Sequence, residues 1–278
     1  MEAASGSTEF NPYKYEGSPN VHVSEGYLVV LCGLFTFLAI NFAAVKIGPP
    51  KNVSGDIWRW RNTFVSWVHA DIVGTGVLYC LLFKPEIASD FILYCDNFIY
   101  FLVAFSMGYF VYDVCDHAMN NKLVSNYEVI LHHLVVLWSF WYDIQYRVNV
   151  PYTIIALMTE IHSIFLHARK LMQFDKWPFD HWLYKMVVSL NFITFVRFRL
   201  WGIFLISWGI YTEWGRLTFI YQIFIVVTMF VMYLINPILF WRLLKNDVLR
   251  HFRSTEKKDK LHMNGACSKM VNGECHLT

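Results

Sequence analysis

The sequence predicts an all-α fold, a polytopic bundle of six to seven transmembrane helices. The first observation is composition, because 56% of the 278 residues are hydrophobic and only 16% are charged. Soluble domains carry about a quarter charged residues, so this composition favours lipid as the surrounding solvent. The second observation is a series of apolar runs of about 20 residues, the length at which a helix crosses a bilayer. Aromatic residues, 18% of the chain, suit the belts at membrane–water interfaces.

Seven apolar runs predict the spans in chain order. They cover residues 26–45, 63–83, 91–112, 127–142, 150–168, 186–210 and 217–241. Five of them reach the length of a full span easily. The fourth and fifth runs are shorter and carry ionisable residues, so each is either a full span or a partly re-entrant segment held by its neighbours.

The distribution of basic residues predicts the orientation of the bundle. With seven spans and the N-terminus outside, 17 of the 23 lysines and arginines fall in cytosolic segments and four in outside loops. This excess fits the positive-inside rule, so we expect an outside or lumenal N-terminus and a cytosolic C-terminus. The chain then divides into a polar N-terminal tail (1–24), a transmembrane bundle (25–245) and a basic, disordered tail (246–278).

Ionisable side chains inside the apolar runs are the candidate functional residues, because a charge at bilayer depth costs at least a few kcal/mol. Asp113 and Asp116 are three residues apart and point the same way from one helix, and the adjacent His132 and His133 follow on the next span. These four form the candidate catalytic cluster. The supporting candidates are Glu128, Glu160, His167, His69 and Arg197. Arg197 and its neighbour Arg199 either snorkel to the interface or neutralise acidic residues in the core.

The spacing of these residues leaves more than one role open. Glu128 and His132 are four residues apart and can touch along one helix. An imidazole beside a carboxylate forms a general base, but such pairs also simply join the helices of a bundle. We predict no metal site, because no HxxxH or HExxH spacing occurs and two adjacent histidines cannot easily aim at one ion. The run from Trp58 to Arg61 is interpreted as an interfacial anchor.

Four motifs occur in a fixed order along the chain. They are Trp58-Arg59-Trp60-Arg61-Asn62, Val65-Ser66 with His69, Gly108-Tyr109-Phe110 with Asp113 and Asp116, and Glu128 with His132-His133. This ordered set resembles the TLC-domain family, whose name joins translocation-associated membrane proteins, ceramide synthase subunits and a neuronal ceroid lipofuscinosis protein. The resemblance covers residues 57–245. With Glu160 followed by Ile164-Phe165-Leu166, the chain looks most like the subfamily of TLC domain-containing proteins 1 and 2.

The resemblance implies two different activities. In ceramide synthases the paired histidines, here His132 and His133, act with acidic residues to transfer a fatty acyl group from acyl-CoA to a sphingoid amine. No His-Asp-x-x-Asp run follows the pair in this chain, where 159–167 reads Thr-Glu-Ile-His-Ser-Ile-Phe-Leu-His, and this departure argues against a sphingoid acceptor. The nearer subfamily is associated with control of phospholipid acyl composition: it limits polyunsaturated chains and sets membrane fluidity, chiefly at the plasma membrane.

Three functions therefore stand as hypotheses. The leading one is regulation of phospholipid acyl composition and fluidity, with membrane lipids as partners, at the plasma membrane or alternatively the endoplasmic reticulum. The second is a lipid acyltransferase with acyl-CoA as co-substrate, in which Arg169 and Lys170 meet the phosphates. The third is a channel or transporter that uses the buried charges as a pathway. The net charge of +2 does not indicate a nucleic-acid partner, and no cofactor is required by the leading hypothesis.

Overall fold

A computed structural model describes residues 21–53 and 55–248 of the chain, and all regular structure within these ranges is helical. The helices are α1 (Val23–Ile47), α2 (Ile57–Phe83), α3 (Asn97–Met119), α4 (Tyr127–Tyr146), α5 (Val150–Phe174), α6 (Trp182–Thr194), α7 (Trp201–Glu213) and α8 (Phe219–Leu243). A π-helical segment, Phe195–Leu200, joins α6 to α7. One continuous helix therefore runs from Trp182 to Arg216.

The predicted all-α polytopic bundle is confirmed. Each apolar run of the sequence overlaps one helix, and the sixth run overlaps the continuous helix that contains α6 and α7. Five helices are long and apolar enough to cross a membrane: Val23–Ile47, Ile57–Phe83, Asn97–Met119, Trp182–Arg216 and Phe219–Asn246. The helices α4 and α5 have 20 and 25 residues, which is long enough for a span, but their ionisable side chains lower their mean hydropathy.

The chain forms two compact units, residues 1–231 and 232–278. Within the first unit, α1 packs most extensively on α3, α2 packs most extensively on α5, and α4 packs on both α3 and α5. The described part of the second unit is the end of α8, where the Asn236 side chain donates a hydrogen bond to the Met232 carbonyl oxygen. The tails predicted at 1–24 and 246–278 fall for the most part outside the described residues.

Aspartate side chains mark the starts of two helices. Asp56 accepts a hydrogen bond from the Arg59 amide at the start of α2, and Asp96 accepts one from the Ile99 amide at the start of α3. The third apolar run was predicted to begin at residue 91, but helix α3 begins only after this cap. Burial alone would raise the pKa of the Asp96 carboxyl, but hydrogen bonds from the Lys84 ammonium, 2.7 Å away, and the Ile99 amide hold that pKa below its ordinary value.

Two glycines allow α1 and α3 to approach each other closely. A Cβ atom on Gly108 would lie 2.7 Å from the Leu34 nitrogen and 2.9 Å from the Gly33 Cα. Both distances are shorter than ordinary van der Waals contact, so only glycine fits position 108. Small residues at such contacts let transmembrane helices pack backbone against backbone, which is a main source of their association in lipid.

We expect Gly108→Ala to destabilise the bundle by about 2 kcal/mol, because the added methyl group overlaps the backbone of α1. The measurement is thermal unfolding of the purified protein in a mild detergent. Gly215→Ala is the matched control, since none of the described residues comes within 4 Å of a Cβ at that position. Equal melting temperatures for the two variants would contradict the close packing of α1 on α3.

Candidate functional site

The first turns of α2 and α4 and the later turns of α3 and α5 bring polar side chains together in one region of the bundle. These side chains, with Arg199, are called the polar centre here. Its members are Asn62, Ser66 and His69 of α2, Ser106, Tyr109, Asp113, Asp116 and His117 of α3, His132 and His133 of α4, and Glu160 and His167 of α5. All of them lie within helices that the sequence predicts as spans.

An antiparallel ladder between α2 and α3 builds one side of the polar centre. Its three rungs are Asn62 with Asp113, Ser66 with Tyr109, and His69 with Ser106. On α2 the members follow the spacing i, i+4, i+7, which places them on one helix face. Tyr109 donates its hydroxyl to Ser66 Oγ at 2.8 Å, and Ser66 donates in turn to the Asn62 carbonyl oxygen at 2.8 Å. The ladder therefore connects its rungs to one another as well as joining the two helices.

Asp113 is the residue on which three helices meet. Its carboxylate is buried and accepts a hydrogen bond from Asn62 Nδ2 at 2.7 Å. Its other oxygen lies 3.2 Å from His117 Nδ1 on the same helix and 3.0 Å from His133 Nδ1 on α4. The His133 contact lacks the alignment of a hydrogen bond and is a close electrostatic contact. Because the contact uses Nδ1, the Nε2 atom of His133 is the ring nitrogen that points away from the carboxylate.

Asp116 has a different environment from Asp113, although Asn62 Nδ2 reaches both carboxylates. Asp116 accepts hydrogen bonds from Trp58 Nε1 at 2.9 Å and from an Arg61 guanidinium nitrogen at 2.8 Å. The run from Trp58 to Arg61 was interpreted as an interfacial anchor, but the structure places two of its side chains on this buried acid, because the start of α2 packs against the end of α3. Arg59, between them, is exposed.

His69 connects the ladder to α5. Its Nδ1 lies 3.7 Å from Glu160 Oε2, its Nε2 lies 3.0 Å from Ser106 Oγ, and its ring stacks on Tyr109 with the centroids 3.8 Å apart. Phe37 of α1 is fully buried and covers this stack, with centroid distances of 5.6 Å to His69 and 5.1 Å to Tyr109. The predicted supporting residues His69 and Glu160 therefore face each other inside the bundle.

The paired histidines have separate surroundings. His133 contacts Asp113, whereas the buried Nδ1 atom of His132 has no hydrogen-bond partner among the described residues. His132 interacts electrostatically with Arg199. His167 resembles His132, because its Nδ1 atom is also buried without a hydrogen bond in the described part of the chain, and it also interacts with Arg199. The two imidazole rings lie close together, with centroids 5.5 Å apart, and His133 is the one that contacts the Asp113 carboxylate.

Two arginines, Arg197 and Arg169, lie elsewhere than the sequence predicts. Arg197, a supporting candidate, is exposed, and Arg199 is the arginine that interacts with Glu160. Arg169 was expected to meet phosphates at the surface but is buried in α5, while the adjacent Lys170 is exposed. Glu128 is half-buried at the start of α4, where the Tyr127 hydroxyl lies 3.5 Å from its carboxylate.

Sequence reasoning missed one fully buried acid. Asp143 lies near the end of α4, and the Thr153 hydroxyl of α5 donates a hydrogen bond to its carboxylate. Asp143 falls just beyond the apolar run that ended at residue 142, which is why it was not counted as a residue inside the membrane. Its position ten residues before Thr153, across a short connection, is the signal that two antiparallel helices would bring them together.

The polar centre offers acid–base chemistry. Its imidazoles contact carboxylates and hydroxyls, and no group of three or more His, Cys, Asp or Glu side chains in the described ranges is arranged to hold a metal ion. The pair Asp113–His133 brings a carboxylate within 3.0 Å of an imidazole nitrogen, the distance at which a carboxylate can orient an imidazole for proton transfer. The same side chains also join four helices, so they stabilise the bundle as well.

The fold and the site define a class: a polytopic helical membrane protein with a carboxylate–imidazole centre buried among its spans. The family model described as TLC domain matches residues 59–245. This match covers more than half of the chain, and the chain belongs to the TLC domain family. The resemblance carried by the ordered motifs is thereby confirmed.

Relatives extend this assignment along the chain. TLC domain-containing protein 2 of Danio rerio is 31% identical over 231 residues, which are 81% of this chain and 91% of that protein. TLC domain-containing protein 1 of Mus musculus is 29% identical over 175 residues, 62% of this chain and 70% of that protein. TLC domain-containing protein 2 of Homo sapiens is 31% identical over 147 residues, 53% and 56% of the two chains. No solved structure matches the chain.

We expect Arg61→Ala to destabilise the protein by about 3 kcal/mol, because it leaves the buried Asp116 carboxylate without its cation. Thermal unfolding in detergent measures the change. Arg59→Ala is the matched control, since Arg59 lies two residues away in the same turn and is exposed. If both variants unfold at the same temperature, the contact between Arg61 and Asp116 contributes nothing to stability.

Proposed function

We propose that this chain regulates the acyl composition of membrane phospholipids, limiting polyunsaturated chains and thereby setting membrane fluidity. The observation that carries the proposal is the buried contact between Asp113 and His133 at 3.0 Å, inside helices whose outer faces meet lipid. An ionisable pair at bilayer depth is costly, so its presence favours a functional role. An amphiphile is the natural ligand of such a site, because it can bring a polar head to the pair and leave its chain among the apolar helices.

A lipid acyltransferase is the second candidate, and the orientation of His133 favours it. With Nδ1 against Asp113, His133 Nε2 is available to take a proton from the hydroxyl or amine of an acceptor lipid. The acceptor oxygen or nitrogen then attacks the thioester carbonyl of acyl-CoA, the carbon–sulfur bond breaks, and the departing thiolate receives the proton from His133. The carboxylate of Asp113 stabilises the imidazolium that exists between the two transfers.

The proposed location is the plasma membrane, with the N-terminus outside and the C-terminus in the cytosol. The excess of lysine and arginine in the segments assigned to the cytosol supports this orientation. The first turns of α2 and α4 and the last turns of α3 and α5 then lie on the cytosolic side. Asn62, Asp113, Asp116 and His133 lie nearest these turns, so this end of the polar centre would be reached from the side where acyl-CoA is found.

We expect Asp113→Asn to abolish most of the effect of the protein on lipid composition, because a neutral amide cannot stabilise a charged His133. The experiment expresses wild type and variant in cells that lack TLC domain-containing proteins 1 and 2. Phospholipid acyl chains are measured by mass spectrometry. Wild type should lower the ratio of polyunsaturated to saturated chains relative to empty vector, and Asp113→Asn should leave the ratio near the vector value.

Asp71→Asn is the control for this experiment, because Asp71 is exposed on α2 and the substitution is chemically the same. It should behave as wild type. A lipid profile that wild type leaves unchanged would contradict the proposed function. Terminal epitope tags on the same proteins test the orientation: the N-terminal tag should be stained in intact cells, and the C-terminal tag only after permeabilisation.

For the acyltransferase candidate, His133→Ala should lower the rate of acyl transfer by about 100-fold or more, since it removes the proposed base. Purified full-length protein is supplied with labelled oleoyl-CoA and a panel of lysophospholipids, and labelled phospholipid is counted. His22→Ala is the matched control, because His22 is exposed just before α1. If wild type transfers no label to any acceptor, this second candidate is wrong and the first then requires a non-catalytic mechanism.

A further inference from the structure

A small, partly open cavity lies near the end of α5 that points away from the polar centre. It is bounded by the first turn of α5, the second half of α7 and the start of α8. Tyr152 of the cavity lies fifteen residues before His167 of the polar centre, which is about 22 Å along the helix. The lining consists of Tyr152, Gly209 and Tyr221 and of four branched aliphatic residues: Ile206, Ile210, Leu217 and Ile225.

The lining is hydrocarbon except for its two tyrosines. A Cβ atom on Gly209 would lie 2.5 Å from Cζ of Tyr152, so the Tyr152 ring packs directly on the backbone of α7. Tyr221 is buried, with 6% of its surface exposed, and neither tyrosine hydroxyl makes a hydrogen bond to another described residue. Polar atoms inside proteins are generally hydrogen-bonded. A ligand that is mostly hydrocarbon and carries a hydroxyl group therefore complements this lining.

The charges around the cavity exclude an anionic ligand. None of the seven lining residues is charged. Arg216, the cation that follows α7, is already bound to Asp90 at 2.6 Å and to Glu213 at 2.9 Å. A phosphate head group or a fatty carboxylate would lack a cation at this site. The ligand is therefore a neutral amphiphile, and because the cavity lies near helix ends, its hydroxyl would sit close to the membrane–water interface.

The sequence around the cavity contains a pattern that has been proposed for sterol contact. Leu205, Tyr211 and Arg216 place an aliphatic residue, a tyrosine and a cation at spacings within one to five intervening residues. Arg216, Tyr221 and Val226 repeat the pattern in reverse order. Either pattern is weak evidence when it occurs alone. Here the two share Arg216, and six of the seven lining residues fall between positions 205 and 226.

We propose that this cavity binds a sterol. The sterol hydroxyl bonds to the hydroxyl of Tyr221, the flat face of the fused rings lies against Tyr152 and Gly209, and the branched side chains contact the ring edges. Because the cavity is partly open, the sterol enters from the bilayer and keeps its other face in lipid. The site shares no residue with the polar centre, so the inference goes beyond the proposed function and does not depend on it.

The test uses the purified full-length protein in phosphatidylcholine vesicles that contain a cholesterol analogue with a photoreactive diazirine. Illumination should attach the analogue to peptides that contain the lining residues, which mass spectrometry identifies. Unlabelled cholesterol should compete, and 5-cholestene, which lacks the hydroxyl, should compete about fivefold more weakly, the loss expected for one hydrogen bond. Labelling confined to other peptides, or equal competition by the two compounds, would overturn the proposal.

Two pairs of variants assign the binding to the cavity. Tyr221→Phe removes one oxygen atom and should weaken competition by cholesterol about fivefold. Tyr211→Phe is its control, because Tyr211 belongs to the sequence pattern but is 78% exposed and does not line the cavity. Ile225→Trp should fill the cavity and remove most of the labelling, whereas Ile223→Trp, on the exposed face of α8, should label as wild type.

Equal results for the two members of either pair would contradict a sterol in this cavity. If Ile225→Trp fails to fold because of its added volume, the tyrosine pair still decides the matter. The sterol site and the proposed function also fail separately. Specific sterol labelling together with an unchanged lipid composition in cells would contradict the function alone. A wild-type effect on lipid composition without specific sterol labelling would contradict the sterol site alone.

Discussion

The Asp113 carboxylate sits where water cannot solvate it, and the arrangement of three helices follows from that constraint. A buried carboxylate is stable only when several donors and a cation surround it, and removing one partner typically costs several kcal/mol. Asn62 from α2, His117 from α3 and His133 from α4 supply these partners. The contact with His133 has a second effect, because it places the Nδ1 atom of the ring against the acid. The need to stabilise a buried carboxylate in lipid therefore also determines that Nδ1 of His133 faces Asp113 and that Nε2 faces away from it.

Much of this arrangement can be predicted from the sequence, because helix periodicity and the cost of charge in lipid both leave patterns among residues that are close along the chain. The apolar runs mark the helices, and the three-residue spacing of Asp113 and Asp116 predicts that both point toward one neighbour, which Asn62 fulfils by reaching both carboxylates. The sequence analysis grouped Asp113 with His133 of the next span in one candidate cluster, and the two side chains lie 3.0 Å apart. The roles assigned to these residues stay predictions, since geometry alone does not demonstrate chemistry.

The features that could not be predicted depend on how each helix is rotated about its axis and on where each helix begins and ends. Arg197 and Arg199 are two residues apart and so point to nearly opposite sides of a helix, but which of them faces inward depends on the rotational phase set by the π-helical segment. The start of α3 depends on the cap at Asp96 rather than on hydropathy. Trp58 and Arg61 have the composition of an interfacial anchor, and only the packing of α2 against α3 places them on Asp116.

Phe37 covers the stacked rings of His69 and Tyr109 from a helix that lies before the family segment. Phe37 belongs to α1, which precedes the region 59–245 that matches the family. The ring that separates the imidazole from surrounding hydrocarbon and water therefore comes from outside the matched segment. A low local dielectric strengthens the carboxylate–imidazole contacts behind it. The part of this chain that encloses the polar centre therefore begins before the segment that the family model matches, and Phe37 of α1 shields contacts made by side chains of other helices.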